Sequence, residues 1–194
     1  MARPREFNES DALGTAIHAF WKNGYQATSI RDLETATGLT TGSLYKAYGS
    51  KRNLFAHCVK KYMDEQSYLA ILKSKSALPL RDALREVLDV AIESARPNAR
   101  RLPGCLVSNL AAELATVDSE LGNSAAMQLQ NMQKAIELRI EEARDNSELE
   151  PGTDAPRLAA YIMVLLQGML AISKSTKDIE SMRSARDMAL DCLR

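Results

Sequence analysis

Apolar residues recur three and four positions apart along most of the chain, and no segment sustains the alternation of apolar and polar residues that is typical of a strand. Glycine and proline lie mostly between the segments with helical spacing. The pattern predicts an all-α fold of about nine helices. The predicted helices cover about 10–22, 29–37, 41–47, 51–72, 79–95, 104–115, 119–144, 156–173 and 179–193.

Several helix ends carry their own sequence signals. Gly24 can take the left-handed conformation that ends the first helix. Ser50, Asp118 and Asp154 are good N-caps for the helices that follow them. Pro79 suits a first helical turn because its ring fixes φ. The segments divide into a small N-terminal head, residues 1–50, and a larger helical body, residues 51–194, without a flexible linker between them.

Two predicted helices in the head, 29–37 and 41–47, are too short to be stable alone and must pack on the first helix. Gly38 lies where the chain turns between them and favours a positive φ, and Thr40 then caps the second short helix. Apolar contacts come from Ile30, Leu33, Leu39 and Leu44. This arrangement predicts a helix-turn-helix.

The exposed side of the second short helix is unusual for a helix. It carries hydroxyls, a bare backbone position, an aromatic ring and a cation, which are poor helix formers but good partners for base edges and phosphates. These residues are Thr41, Gly42, Ser43, Tyr45 and Lys46. A helix N-terminus with free N–H groups is also a ready phosphate site. The chemistry indicates a surface that DNA covers, and an ordinary helix hairpin is the alternative.

The ordered stretch 38–45, followed by Tyr48 and Ser50-Lys51, resembles the signature of the TetR family. Phe20, Gly24-Tyr25 and 28–30 also match that family's head. The resemblance covers about residues 5–60 strongly and the remainder as an all-helical body. It implies a transcriptional regulator, a repressor in most of the family, in which a homodimer binds a pseudo-palindromic operator in double-stranded DNA and a small-molecule effector binds the body.

The resemblance also implies roles for individual residues. Thr28 and Lys51 match positions that contact the DNA backbone, and Gly42 lets the backbone approach closely. The positions that line or enter the major groove are Thr40, Thr41, Ser43, Tyr45, Lys46 and Tyr48. Two positions depart from the pattern: Ala47 stands where many relatives carry histidine, and Tyr48 where they carry phenylalanine. We therefore expect a phosphate contact to be missing at Ala47.

Charge is distributed unevenly although the chain is neutral overall. Up to Met63 there are nine basic and five acidic residues, so 16 basic and 20 acidic residues remain in the rest. A basic head on an acidic body favours nucleic-acid binding, while a chance distribution of solvated charges would give the same count. Arg3 and Arg5 form a basic arm with Pro4 between them, which either lies in a neighbouring minor groove or is a frayed terminus.

The helix over 156–173 is too apolar for an ordinary surface helix, so we expect the last two helices to form the dimer interface, with monomer core as the alternative. The interface residues predicted are Leu158, Ile162, Leu165, Leu166 and Met169. Cys105 follows Pro103-Gly104 at the start of a predicted helix, close to Arg100 and Arg101. These cations and the helix dipole would favour a reactive thiolate, a sensor of oxidants or electrophiles; the alternative is a buried small residue.

Other function classes receive little support from the residues. His18 and His57 have no nucleophile or metal-ligand pattern around them, and no glycine-rich phosphate loop occurs, so we expect neither an enzyme nor a cofactor or metal site. The three separated cysteines fit a reducing compartment, and the apolar stretch of about 15 residues is short for a bilayer span, which predicts a cytoplasmic protein. A helical adaptor that binds only protein would leave the polar short helix unexplained.

Overall fold

The computed structural model describes residues 9–65, 72, 78–99, 101–115 and 118–193, which form nine helices and no strand. In chain order these are α1 Glu9–Asn23, α2 Ile30–Thr37, α3 Thr41–Tyr48, α4 Lys51–Asp64, α5 Leu80–Ala95, α6 Leu106–Leu114, α7 Ser119–Asp145, α8 Ala155–Lys174 and α9 Ile179–Asp191. The all-α prediction is confirmed. Most helix ends lie within two residues of their prediction. The predicted extension of α4 to Leu72 crosses 66–71, which lie outside the described residues.

The polar caps explain where the helices begin. The side chains of Ser50, Asp118 and Asp154 each accept a hydrogen bond from the backbone N–H three residues later, as predicted. Pro79 is the N-cap of α5 rather than a first-turn residue. Since no helical N–H is needed at that position, the ring is tolerated there equally well.

The head and the body share one continuous hydrophobic core. In the head, α1 packs on α2 and α4, and α3 packs on α4. In the body, α7 packs on α6 and α8, while α5 packs on α8 and α9. The Phe55 ring of α4 lies 5.1 Å from Phe20 and 4.8 Å from Tyr25, measured between centroids. The α4 helix contacts α1 and α3 in the head and α7 in the body, so it links the two parts of the chain mechanically.

The α8 helix is the central helix of the body. It is 20 residues long, five more than the apolar stretch recognised in the sequence, and its length and composition would allow it to cross a membrane. Its inward side chains, including Ala159, Ile162 and Leu166, are buried against α5 and α7. One side of α8 therefore belongs to the core, while Tyr161 and Val164 on its other side are exposed.

Candidate nucleic-acid interface

The turn between α2 and α3 has the geometry of a helix-turn-helix. Ser29 and Asp32 form a reciprocal capping box at the start of α2: the Ser29 N–H donates to Asp32 Oδ2 at 2.8 Å, and the Asp32 N–H to Ser29 Oγ at 3.1 Å. Gly38 ends α2 with φ of 70°, where a side chain would be strained. Leu33 and Leu44 are buried and hold the two helices on α1 and α4.

The outward face of α3 is small, polar and cationic. Gly42, Tyr45, Lys46 and Ala47 are exposed, while Thr41 and Ser43 are partly exposed. The Tyr45 ring keeps 44% of its surface in contact with solvent. Ala47 presents only a methyl group, which agrees with the expected loss of a phosphate contact there.

Gly42 has no structural reason within the chain to be glycine. A Cβ added at this position would meet only Thr40 Oγ1, at 4.0 Å, among the described residues. Glycine within a helix costs about 1 kcal/mol relative to alanine. Gly42 therefore leaves the backbone of α3 open to close approach from outside the chain.

The N-terminus of α3 is already occupied by a carboxylate, contrary to the expected phosphate site. Thr40 Oγ1 accepts from the Ser43 N–H at 3.2 Å. Glu34 Oε1 accepts from the Thr41 N–H and, at 2.6 Å, from the Thr41 hydroxyl. The bond from the Thr41 hydroxyl and then that from its backbone hold the pKa of Glu34 below its ordinary value. A phosphate would compete with this charge.

Two residues predicted to contact DNA, Thr28 and Tyr48, have side chains in the interior of the head in this conformation. Thr28 is fully buried, and its hydroxyl donates to the Gly24 carbonyl at 2.5 Å. Tyr48 is 5% exposed, with its ring 5.5 Å from that of His57. Both side chains pack within the head, and their contact with DNA stays a prediction.

Lys51 is partly buried at the start of α4. Its Nζ lies 4.4 Å from the centroid of the Tyr25 ring, a cation–π contact. Burial lowers the pKa of Lys51, and the nearby carboxylates of Glu113 and Asp32 oppose this shift. Arg3 and Arg5, the predicted arm, lie outside the described residues.

The head is attached to the body by a carboxylate that sequence reasoning missed. Glu113 on α6 accepts from two consecutive backbone N–H groups of the α1–α2 turn, Tyr25 at 3.0 Å and Gln26 at 2.7 Å. Arg52, on the α4 helix that packs against the head, pairs with Asp118 at 3.2 Å and with Glu120 at 2.8 Å at the start of α7. A shift of α6 therefore pulls on the turn that leads into α2.

A second contact between head and body is aromatic. Trp21 of α1 meets the Tyr62 ring edge-on at 4.9 Å, and its Nε1 donates to the Pro103 carbonyl at 3.1 Å. The Arg101 guanidinium lies 5.3 Å from the Trp21 ring centroid and donates to Tyr62 Oη at 2.9 Å. These four residues form the aromatic junction.

Cys105 lies beside this junction and is buried. It is the N-cap of α6, 2% exposed, with Sγ 3.9 Å from Tyr62 Oη. Arg101 contacts Tyr62 and Trp21, and Arg100 lies outside the described residues. Cys105 thus lies at the start of a helix, as predicted, and its side chain is buried, as the alternative had it. For comparison, burial raises the pKa of the Cys58 thiol to about 12, and Cys192 is exposed.

Three of the five predicted interface residues on α8 lie inside the single chain. Ile162, Leu166 and Met169 are buried, so their side chains are core, as the alternative had it. Leu158 and Leu165 are partly exposed. The apolar face that α8 and α9 present to solvent shares only Leu165 with the predicted interface. Its other residues are Tyr161, Val164 and Gly168 on α8 and Met188 on α9. We call this the α8–α9 face.

A helix-turn-helix with an exposed polar second helix, set on a larger helical body, defines a class: DNA-binding transcriptional regulators. Residues 12–58 match the family model described as Bacterial regulatory proteins, tetR family. Residues 81–189, more than half of the chain, match Tetracyclin repressor-like, C-terminal domain. The chain belongs to the TetR family.

Curated relatives and solved structures agree with this assignment. An HTH-type transcriptional regulator of Bacillus subtilis, YezE, is 29% identical over the whole length of both chains. The HTH-type transcriptional repressor ComR of Escherichia coli is 23% identical, covering 93% of this chain and 86% of its own. A cysteine mutant of the TetR family regulator CifR, complexed with a 26 bp double-strand operator DNA, superimposes with a TM-score of 0.88 at 26% identity and full coverage of both chains.

Proposed function

We propose that this protein is a cytoplasmic repressor that binds a pseudo-palindromic operator as a homodimer and leaves it when a chemical signal alters the body. The outward face of α3 carries this proposal, since Gly42, Tyr45 and Lys46 are exposed there and no packing among the described residues requires glycine at position 42. A double-stranded partner fits, because a helix of this width enters a major groove. The 1–50 and 51–194 division then separates DNA reading from sensing and dimerisation.

Two relatives support parts of this proposal. CifR is complexed with an operator of 26 bp, about two and a half turns of DNA, which leaves room for two half-sites one turn apart. ComR is named a repressor, which favours repression over activation here.

Selection of genomic fragments with the purified protein tests the proposal. We expect enriched duplexes with an inverted repeat, and Tyr45→Ala should weaken binding to them by about 1–3 kcal/mol, the range for one base-contacting residue. Leu138→Ala on α7, exposed but far from α3, is the matched control. Absence of any enriched sequence would contradict the assignment.

Dimerisation through the α8–α9 face follows from its exposed apolar area. Val164 keeps 73% and Met188 70% of their surface exposed in the single chain. A Cβ added at Gly168 would meet no atom within 4 Å among the described residues, so a partner helix has room to approach α8 closely at this position. Sedimentation equilibrium should therefore give twice the monomer mass, and a monomer at micromolar concentration would contradict the proposal.

The chemical signal has two routes into the body. In one, Cys105 reacts with an oxidant or electrophile; because its sulfur touches Tyr62 and Tyr62 touches Trp21, an added group there pushes on the aromatic junction. In the other, an effector enters a cleft of about 380 Å³ between α4 and α7, whose apolar wall includes Val59, Met63 and Leu121. Both routes act on α4 or α1, which hold the head.

Operator release assays separate the two routes. Cys105→Ser should abolish release by peroxide or quinone if the thiol is the sensor, while Cys192→Ser, at an exposed position, is the control. Trp21, the one tryptophan of the chain, reports the junction by its fluorescence. Release of the Cys105→Ser protein at the wild-type rate would exclude the thiol route.

A further inference from the structure

Glu34 extends from α2 across the turn to the first residue of α3. Its Oε1 accepts both the backbone N–H and the hydroxyl of Thr41, the latter at 2.6 Å. Hydrogen bonds to an ionised acceptor are stronger than those between neutral groups. The carboxylate thus fixes both the start of α3 and the side-chain rotamer of Thr41.

This contact decides which hydrogen bonds Thr41 can still make. A threonine hydroxyl has one hydrogen to donate and two lone pairs that accept. Because its hydrogen points at Glu34, Thr41 can only accept from a partner outside the chain, and its remaining contact is the methyl group. Its neighbour on the α3 cap, Thr40, differs because it pairs with the Ser43 hydroxyl at 3.1 Å, where either oxygen can donate.

Thr41 is placed where base edges are read. The N-terminal residues of a recognition helix reach the bases, and Thr41 lies one turn before the exposed Tyr45 on the same face of α3. In the major groove, adenine and cytosine present an amino donor and thymine presents a methyl group, whereas guanine presents two acceptors. An acceptor-only Thr41 therefore has nothing to offer guanine.

We propose that Glu34 is a positioning residue for sequence reading: by holding the Thr41 hydroxyl hydrogen it makes Thr41 an acceptor and disfavours guanine at the base that Thr41 contacts. This inference rests on the proposed function, in which α3 reads the operator. Glu34 is itself only partly exposed and acts through Thr41.

Selection from randomised duplexes, scored base by base, tests the inference. Relative to wild type, Glu34→Ala should lower the discrimination against guanine at one base pair in each half-site by about 3- to 10-fold, the size of one net hydrogen bond. Preferences at other positions should not change. Removing a negative charge near phosphates also strengthens binding to every duplex, so the readout is the ratio between sequences.

Companion variants separate positioning from a purely structural role. Glu34→Gln keeps an acceptor oxygen and should restore the wild-type base profile. Thr41→Val lacks the hydroxyl, so adding Glu34→Ala to it should leave the base profile as it is in Thr41→Val alone. Thr35→Ala is the matched control on α2, since the exposed Thr35 hydroxyl bonds only to the Arg31 carbonyl of its own helix.

The possible outcomes are distinct. If Glu34→Ala changes the affinity for all sequences by one factor, Glu34 only supports the fold of the head and the inference is overturned. If Glu34→Ala is not folded at the assay temperature, Thr41→Val is used instead. Wild-type discrimination against guanine in Thr41→Val overturns the inference, and altered discrimination supports it. If the wild-type protein itself enriches no sequence, the proposed function fails, and the inference with it.

Discussion

Two surfaces of this protein carry an exposed helical glycine, yet the surroundings of the two glycines have opposite chemistry. Gly42 on α3 lies among hydroxyls and Lys46, while Gly168 on α8 lies beside Val164 and Leu165. Each glycine lowers helix stability by about 1 kcal/mol relative to alanine and leaves room for close approach from outside, as Gly14 on α1 also does, so the empty space alone does not identify a partner. The side chains around it then indicate what approaches: a polyanion at α3 and a second apolar helix at α8.

The two surfaces also differ in how they are supported. The α8 helix is held by buried apolar packing, whereas the short α3 is held by buried Leu44 and Tyr48 together with polar contacts at its start. Changes on the α8–α9 face should therefore alter assembly, while changes on α3 should alter DNA binding in an intact dimer.

The largest effect is expected from Val164→Arg. It would place an unpaired cation in the centre of the α8–α9 face, and burying such a charge costs several kcal/mol, roughly 3 or more. The dimer should dissociate in sedimentation experiments, and operator affinity should fall with it. Leu138→Arg on α7 is the matched control, since Leu138 is also an exposed apolar residue, at 53%, outside this face. If the Val164→Arg protein remains a dimer, the dimer interface lies on another surface.

Gly42→Ala should separate stability from function. The added methyl group has space within the chain, so the protein should gain up to about 1 kcal/mol in free energy of unfolding. Operator affinity should nevertheless fall, by about 1–3 kcal/mol, because the methyl group meets DNA. Gly14→Ala on α1, where a Cβ also meets nothing within 4 Å among the described residues, should be stabilised without losing affinity. Equal operator binding by both variants would contradict the assigned face.

A smaller effect is expected at the attachment of head to body. Glu113→Ala leaves the N–H groups of Tyr25 and Gln26 without their carboxylate, at a cost of about 1 kcal/mol. Hydrogen exchange at these two amides should become faster while α8 keeps its protection. Arg52→Ala removes a more solvent-exposed link and should change exchange less. Unchanged exchange in Glu113→Ala would show that the head is held by its core alone.

The smallest effect is a pH dependence of the head. Hydrogen bonds from the Ser29 side chain, then from its backbone, hold the pKa of Asp32 below its ordinary value. The stabilisation is therefore present above about pH 4 and is lost as pH falls through the lowered folded-state pKa. In thermal melts, the difference in melting temperature between neutral and acidic pH should be smaller in Asp32→Asn than in the wild-type protein. Asp187→Asn, in the middle of α9, is the control and should keep the wild-type difference. A wild-type difference in melting temperature in Asp32→Asn would show that the Asp32 carboxylate does not stabilise the head.

The sequence predicted the elements and the motif well because both depend on local rules. Caps at Ser50 and Asp118, the turn at Gly38 and the exposed residues of α3 are encoded by neighbours along the chain. The resemblance then extended this local reading to a family.

Features that depend on distant contacts were beyond such rules. Glu113 bonds to residues 87 and 88 positions away, and no pattern in the sequence announces it. The burial of Thr28 and Tyr48 inside the head, and of Ile162, Leu166 and Met169 inside the body, reflects which side of a helix its neighbours cover. Periodicity shows that a helix has an apolar side, but it does not show where the monomer core ends and the partner begins.

A salt titration of operator binding by Lys46→Ala shows whether the outward face of α3 contacts the operator. Lys46 is exposed on that face, and each lysine that neutralises a phosphate contributes about one to the slope of log affinity against log salt. In Lys46→Ala we expect the slope of log affinity against log salt to be smaller by about one, with the same operator still preferred. Lys134→Ala on α7 should have the same slope as the wild-type protein. Identical slopes for Lys46→Ala and wild type would contradict the proposed contact between this face and the operator.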